Sequence, residues 1–237
     1  MASYTFTVEK DCPICGQSTR VVKTRARLVK ERTDEDFCVH YKDFNPYYYR
    51  VWICEHCGFA GDEKTFTSQM PDRDRQKIKK FLNGKKVSVA FTENRDLPEA
   101  VASFRLAIFF LDLIDASFSR RAGLYLGLAW IYRFAEDEER ENETIRKAAE
   151  LYDHSIMTER YPIGGMTDLM VIYILGAIYF RIGDFEKCTQ YLSRLIGNKE
   201  IRTTEPKLYD KARDLWADVR MLKNEQKDAS ESCDASV

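Results

Sequence analysis

Four cysteines form two short motifs with the spacing of a metal site. Cys12 and Cys15 lie in Cys-Pro-Ile-Cys-Gly, and Cys54 and Cys57 lie in Cys-Glu-His-Cys-Gly. Thiolates separated by two residues are typical zinc ligands. Two matched motifs supply four thiolates, which complete a tetrahedral structural site and leave no position open for water or substrate. The sequence therefore predicts a structural Zn²⁺ site at Cys12, Cys15, Cys54 and Cys57.

Two alternatives concern the identity of the metal and the role of Cys12 and Cys15. A rubredoxin-type iron site uses the same ligands, so zinc is the prediction and iron stays possible from ligand type alone. A thioredoxin-like redox pair at Cys12 and Cys15 would need a helix starting at the first cysteine within a βαβ pattern. The residues that follow are typical of a strand instead, which favours the metal site.

Three further side chains near these motifs can bind metals. Cys38 and His40 are two residues apart and would share one face of a strand, and His56 lies inside the second motif. With four thiolates available, we expect Cys38 to be a small buried apolar residue and His40 a hydrogen-bonded structural residue. Whether any of the three contributes to the metal site stays open at this point.

The residues around the two motifs favour short β-strands. Small or apolar side chains alternate with cationic ones over residues 22–28, and aromatic and β-branched residues are frequent over 37–41 and 47–53. Asn45-Pro46 is typical of a turn between the last two strands. We expect a small antiparallel sheet, which buries too little surface to fold alone and depends on the metal as a cross-link.

The same region carries candidate features for nucleic-acid binding. The expected first strand has a cationic face made of Lys23, Arg25 and Arg27. Aromatic residues also cluster beside Arg50, namely Tyr47, Tyr48, Tyr49 and Trp52. Aromatic side chains next to cations can stack on single-stranded bases. We favour packing around the metal site as their role and keep nucleic-acid binding as the alternative.

The rest of the chain has helical periodicity and helix-end signals. Met70-Pro71-Asp72 opens a short helix that stops at Asn83-Gly84, and Asp96 with Glu99 has the pattern of a capping box. Further helices are expected over about residues 96–116, 119–135, 142–157, 167–182, 184–196 and 205–224. No strand pattern is present in this half.

Part of the helical half repeats. The pair Leu126-Gly127 recurs as Leu175-Gly176, each followed three residues later by a large aromatic side chain. This pattern resembles the tetratricopeptide repeat, in which a small residue lets two helices pack closely. Gly183-Asp184 is expected to end one helix and cap the next. An irregular helical bundle that uses the same small residues is the alternative.

A repeat of paired helices leaves one concave face open to a partner. Within residues 167–182, Tyr173 and Arg181 lie away from the expected packing positions. Tyrosine and arginine carry much of the binding energy at protein interfaces. We therefore predict Tyr173 and Arg181 as partner-binding residues.

The composition of the chain indicates the cellular compartment in which we expect it. Seven cysteines with no signal peptide at the N-terminus favour a reducing compartment, and we expect the cytoplasm. The longest apolar run, residues 169–180, is shorter than the about 20 residues that cross a bilayer, so no membrane span is expected. The formal net charge is −1, too balanced for a strong nucleic-acid signature.

Taken together, the two cysteine motifs, Asn45-Pro46 before the second motif, and the repeat-like helices resemble an uncharacterised bacterial family of unknown function. The resemblance implies a metal-binding module joined to tetratricopeptide-like helices in a bacterial cytoplasmic protein, with no established activity. The expected fold is α+β: a zinc-ribbon-like β module over residues 1–70, a helical connection over 71–95, an all-α tetratricopeptide-like domain over 96–224, and a disordered tail over 225–237.

The function that we predict is that of a non-enzymatic zinc-binding adaptor that binds a protein partner through its helical surface. The first alternative is a nucleic-acid-associated regulator. A metal-dependent enzyme ranks lowest, because the chain has only three histidines and no catalytic constellation near the metal motifs.

Overall fold

The structure, a computed structural model, describes residues 4–85 and 94–234. Short strands are followed by helices, so the chain is α+β, as the sequence predicts. Residues 86–93 of the predicted connection lie outside the described residues. The chain forms two compact units, the first comprising residues 1–33 with 39–148 and the second residues 34–38 with 149–237.

The strands of the first unit pair as separate antiparallel hairpins. The pairs are β1 (Thr5–Asp11) with β2 (Ser18–Thr24), β3 (Lys30–Thr33) with β4 (Val39–Tyr41), and β5 (Val51–Ile53) with β6 (Ala60–Asp62). Val8 lies opposite Val21 in the first hairpin, and Trp52 lies opposite Gly61 in the third. The expected antiparallel pairing is present, but as two-stranded hairpins instead of one sheet.

The expected strands have different limits from those that the sequence pattern indicates. β2 begins and ends four residues before the predicted segment 22–28, because it pairs with β1 from Thr5 to Asp11. The segment from residue 37 is a strand only from Val39, because Phe37 has a positive φ of 67°.

The segment from residue 47 begins as a 3-10 helix, Pro46–Tyr49. The side chain of Asn45 accepts a hydrogen bond from the N–H of Tyr47 at 3.0 Å, and Pro46 fixes the first turn. The local cap therefore outweighs the strand preference of the tyrosines, and β5 starts at Val51.

The helices that follow the hairpins begin and end near the predicted residues. They are α1 (Glu63–Thr67), α2 (Asp72–Leu82), α3 (Leu97–Leu113), α4 (Phe118–Phe134) and α5 (Glu138–Thr158). The capping box of α3 is confirmed, because Asp96 Oδ1 accepts from the N–H of Glu99 at 2.9 Å and Glu99 Oε2 accepts from the N–H of Asp96 at 3.1 Å. α1 is an addition to the prediction, and Asp62 caps it through the N–H of Thr65 at 2.9 Å.

The helices of the second unit after α5 are α6 (Asp168–Ile182), α7 (Phe185–Ile196), α8 (Ile201–Thr204) and α9 (Pro206–Asp234). Gly183, at φ 82°, ends α6, and Asp184 caps α7 by accepting from the N–H of Lys187 at 3.0 Å, as predicted. α9 continues to Asp234, into the segment expected to be disordered, since residues 225–234 contain no Gly or Pro to stop the helix. Residues 235–237 lie outside the described residues.

Two glycines of the repeated pattern lie where other groups approach closely. A Cβ atom on Gly176 would lie 2.9 Å from Leu192 Cδ2, so α6 and α7 pack closely at this position, as expected. A Cβ atom on Gly127 would lie 2.7 Å from Arg50 Nη1 and 2.8 Å from Phe104 Cε1. The two glycines therefore make room for different neighbours, and the tetratricopeptide interpretation stays a prediction.

The core of the first unit joins the hairpins to helices that were expected in a separate domain. Trp52 and Phe59 of the third hairpin are buried in one apolar cluster with Phe104 and Phe110 of α3. The rings of Phe59 and Phe110 are 5.2 Å apart. This packing groups α3, α4 and the start of α5 with the hairpins, so it differs from the predicted domain limits at residues 70 and 95. Over the described residues, no helix combines the length and apolar character that crossing a bilayer requires.

Candidate metal centre

The four cysteines lie at the turns of two hairpins. Cys12 and Cys15 connect β1 to β2, and Cys54 and Cys57 connect β5 to β6. The two turns have the same backbone hydrogen bonds. The N–H of the residue after the second cysteine donates to the carbonyl of the first cysteine at 2.9 Å in both turns. The N–H of Cys12 donates to Gln17 at 2.9 Å, and that of Cys54 donates to Phe59 at 2.8 Å.

The backbone conformation at the last position of each motif explains why that residue is glycine. Gly16 and Gly58 both have φ 76°, in the left-handed region that glycine adopts without steric cost. This conformation reverses the chain after the second cysteine and starts the returning strand. A Cys-x-x-Cys-Gly sequence therefore encodes a turn that directs both of its thiols to one side.

The two turns bring their sulfur atoms together at metal-binding distances. Cys12 Sγ lies 3.7 Å from Cys57 Sγ, and Cys15 Sγ lies 3.7 Å from Cys54 Sγ. All four sulfur atoms lie within 4.8 Å of one another. Zinc–sulfur bonds of about 2.3 Å in a regular tetrahedron place sulfur atoms about 3.8 Å apart. The predicted ligands thus have the separations that a tetrahedral thiolate site requires.

The pKa values of three of the four thiols indicate why this cluster suits a cation. Hydrogen bonding with Cys12, and then with Cys57, lowers the pKa of Cys54. The hydrogen bond to Cys54 in turn raises the pKa of Cys12 to about 12. Hydrogen bonding to Cys12, and then to Cys54, raises the pKa of Cys57. These contacts stabilise the thiolate of Cys54 and oppose ionisation of Cys12 and Cys57, and a bound divalent cation would favour ionisation of its ligand thiols.

Backbone amides and neighbouring side chains fix the orientation of the ligands. The N–H of Ile14 lies 3.5 Å from Cys12 Sγ and donates to it. The second turn is tied to β2, because the N–H of Glu55 donates to Thr19 Oγ1 at 3.1 Å. Such contacts around the ligands hold a metal site in position. Thr19 is fully buried, and the sequence analysis did not single it out, because a lone threonine in a strand carries no motif.

The three additional candidate ligands are not part of the group of four sulfur atoms. His56 is exposed, and its Nε2 lies 2.8 Å from the carbonyl oxygen of Ser18, to which it donates. The ring of His40 packs against Phe134 at 4.9 Å. Cys38 is fully buried, as expected for a small apolar side chain. The four-thiolate set is therefore complete without them.

Two of the cationic side chains expected on one strand face contact neighbouring groups. Lys23 Nζ lies 2.7 Å from Glu63 Oε1 and 5.6 Å from the centre of the Trp52 ring. The guanidinium of Arg25 lies 5.6 Å from the ring of Phe6, the residue opposite Lys23, so Lys23 and Arg25 share a face as predicted. Arg27 lies beyond the end of β2.

The aromatic cluster is largely packed, as the favoured interpretation predicts. Trp52 is 3% exposed and Tyr49 is 7% exposed. The ring of Tyr47 lies 5.1 Å from that of Trp130, and its hydroxyl accepts from the N–H of Val39 at 2.9 Å. Tyr49 and Trp52 are therefore core residues of the first unit, whereas Tyr47 and Tyr48 are half-buried.

The structure places the two predicted partner-binding residues differently. Tyr173 is only 1% exposed, and its ring lies 5.3 Å from that of Phe37. This is a correction: Tyr173 is a core residue, because α7 and α9 pack against α6 and residues 171–179 are all buried. Burial also raises the pKa of Tyr173 above its ordinary value. Arg181 is exposed, and its role in partner binding stays a prediction.

A family model described as an uncharacterized protein conserved in bacteria, DUF2225, matches residues 6–219. The chain belongs to the DUF2225 family. No curated protein and no solved structure matches it. Membership covers both units and confirms the resemblance drawn from the cysteine motifs and helices, while the description of DUF2225 states no activity. The four cysteines therefore remain the part of this DUF2225 chain whose chemistry is most specific.

Proposed function

We propose that the protein is a non-enzymatic, zinc-binding adaptor of the bacterial cytoplasm. In this proposal the metal stabilises the first unit, and the helices of the second unit bind a protein partner. The observation that carries it is the set of four thiols at tetrahedral spacing, built into the edge of an apolar core.

The position of the cysteines supports a structural role for the metal. Cys12 and Cys54 are 2% and 0% exposed and belong to the same apolar cluster as Trp52 and Phe59. Four thiolates occupy the coordination positions of zinc, so no position is left for a water molecule or a substrate. The binding free energy of the metal then contributes to folding. This favours an adaptor over a metal-dependent enzyme.

The packing of the hairpins favours a protein partner over nucleic acid. Lys23 is paired with Glu63, and two of the four rings that could stack on bases, Tyr49 and Trp52, are buried. Binding of a single strand needs cations along a groove and open aromatic faces. We therefore keep the nucleic-acid regulator as the alternative.

The test is cross-linking in a bacterium that carries the protein. The chain, tagged at its own chromosomal locus, is cross-linked in living cells, purified and digested, and linked peptides are identified by mass spectrometry. We expect one reproducible protein partner linked to residues of the second unit. Nuclease-sensitive recovery of RNA or DNA would instead support the regulator, and recovery of no partner would contradict the adaptor.

A further inference from the structure

The second unit has an apolar depression of about 450 Å³ at the start of α9. We call it the Phe37 pocket. Its lining includes four apolar side chains and two cationic ones, namely Phe37, Met170, Pro206, Leu208, Lys207 and Lys211. The volume is in the range of sites that enclose one or two bulky side chains of a ligand. Methionine in such a wall adapts its shape to different apolar groups.

Phe37 is held in this wall by its own loop. Its φ of 67° is uncommon for an aromatic residue and persists only where the surroundings fix it. The N–H of Asp34 donates to the carbonyl of Cys38 at 2.8 Å, and the N–H of Phe37 donates to that of Asp34 at 3.0 Å. The buried ring of Tyr173 supports Phe37 at 5.3 Å. The loop therefore presents a preformed aromatic surface.

The rim of the pocket carries cations without acidic partners. Lys207 and Lys211 are four residues apart on α9, so their side chains lie on the same face of the helix, and both are exposed. Among the described residues, neither ammonium group has an ion pair, and Lys211 contacts the ring of Phe37 at 5.7 Å. The first turn of α9 also has no acidic residue, although a helix N-terminus favours negative charge.

The acidic side chain that lines the pocket is already engaged. Glu205 Oε1 accepts a hydrogen bond from Thr167 Oγ1 at 2.8 Å, directly before α9. Its carboxylate is thereby directed to the start of α6, whereas the two ammonium groups on α9 stay open. The pocket thus combines an apolar lining with two exposed ammonium groups that form no ion pair among the described residues.

We propose that the Phe37 pocket binds a segment of a partner protein in which a bulky apolar side chain is flanked by carboxylates. The apolar side chain enters the pocket beside Phe37 and Met170, and the carboxylates pair with Lys207 and Lys211. Charge complementarity selects this partner. The inference rests on the proposed adaptor function and names the chemistry of its partner.

The acidic residues near the far end of α9 lie away from the pocket of the same molecule. α9 starts at the pocket and is 29 residues long, which at 1.5 Å per residue carries its far end about 43 Å away.

The experiment uses a displayed library of random short peptides and the full-length, zinc-loaded protein. Enriched peptides are resynthesised with a fluorescent label, and their affinities are measured by anisotropy. The test variant is Lys207→Glu/Lys211→Glu, which changes only exposed side chains. The matched control is Lys199→Glu/Arg220→Glu, which makes the same change in net charge at exposed residues of the second unit outside the pocket lining.

We expect enriched peptides to share a Phe, Leu or Met next to Asp or Glu. Their affinity should fall at least about tenfold in the Lys207→Glu/Lys211→Glu variant and by less than about twofold in the control. Phe37→Ala should weaken binding similarly, with circular dichroism confirming its fold. No enrichment, peptides without acidic residues, or binding unchanged by the reversal of Lys207 and Lys211 would overturn the proposal.

Two further results separate this inference from the adaptor proposal. If the cross-linked partner is still recovered with the Lys207→Glu/Lys211→Glu variant, the pocket assignment is wrong and the adaptor function stands. If the wild-type chain forms a dimer that the variant loses in sedimentation velocity, the pocket binds a second copy of this chain and the acidic-partner assignment is wrong.

Discussion

The four metal ligands differ in exposure, although they have equivalent places in their motifs. Cys12 and Cys54, the first cysteine of each motif, are buried, whereas Cys15 is exposed and Cys57 is half-buried. The site is therefore anchored in the core through the first cysteine of each pair. Replacement of a buried ligand removes a metal bond and also leaves a polar atom in the apolar cluster.

Replacement of Cys54 by serine should remove the metal. We expect elemental analysis to fall from one zinc per chain to below about a tenth, and the melting temperature to fall by roughly 10 °C. That shift corresponds to the loss of about 4 kcal/mol from the free energy of unfolding. Zinc contributes this amount when its free concentration is a thousand times its Kd. The control is Cys188→Ala in α7, which should keep full zinc content. A Cys54→Ser protein with one zinc per chain would show that the ligand assignment is wrong.

Cys188 should be an unreactive thiol in the native protein. It is fully buried, and burial raises its pKa to about 12. The reactive thiolate is therefore scarce at pH 8, and alkylation by iodoacetamide should be at least about a hundred times slower than in urea. Between pH 8 and 10 the native rate should keep rising, whereas the rate in urea should level off near the ordinary pKa of about 9. Mass spectrometry of the labelled peptide measures both rates, and equal rates would contradict the burial.

At the scale of elements, α4 and α5 are joined by a buried ion pair. Arg133 Nε lies 2.8 Å from Glu141 Oε1, and the two side chains are 6% and 5% exposed. Glu141 is one of three acidic residues in the first turn of α5. The loss of an ion pair in a buried, low-dielectric environment costs more than the loss of a surface pair.

Glu141→Gln should therefore lower the free energy of unfolding by about 3 kcal/mol. The matched control is Asp137→Asn, which breaks the exposed pair with Arg140 at the same end of α5 and should change stability by less than about 0.5 kcal/mol. Urea denaturation of the zinc-loaded proteins measures both values. Equal effects of the two variants would show that burial does not strengthen the Arg133–Glu141 pair.

The sequence predicts elements whose signals are local and misses those that depend on a partner strand or helix. The capping box at Asp96, the stop at Gly183 and the Cys-x-x-Cys-Gly turns follow from a few adjacent residues. The position of β2 does not, because it is set by pairing with β1 from Thr5 to Asp11. The burial of Tyr173 is likewise set by α7 and α9, which cover the side of α6 that the helical pattern left open.

At the scale of the molecule, the four candidate metal ligands lie in one of the two compact units. Removal of zinc by a chelator should increase amide hydrogen exchange in β1, β2, β5, β6 and α3, which surround or pack on the site. Exchange in α6 and α7 should change less than about twofold, because their core contains none of the ligands. Hydrogen-exchange mass spectrometry with and without chelator measures this difference. A uniform increase along the chain would contradict the confinement of the effect to the first unit.

The loop at residues 34–38 belongs to a unit whose remaining residues start at position 149. On the ribosome, synthesis of the intervening chain at about 5–20 residues per second takes roughly 5–20 s. The Cys12 and Cys54 turns are both translated before this interval ends, so the metal site can close early. Phe37 must wait for Tyr173, more than a hundred residues later, before its ring has the neighbour that supports it. The order of synthesis thus separates two events in time: all four candidate metal ligands are available before the residues that complete the Phe37 pocket have been made.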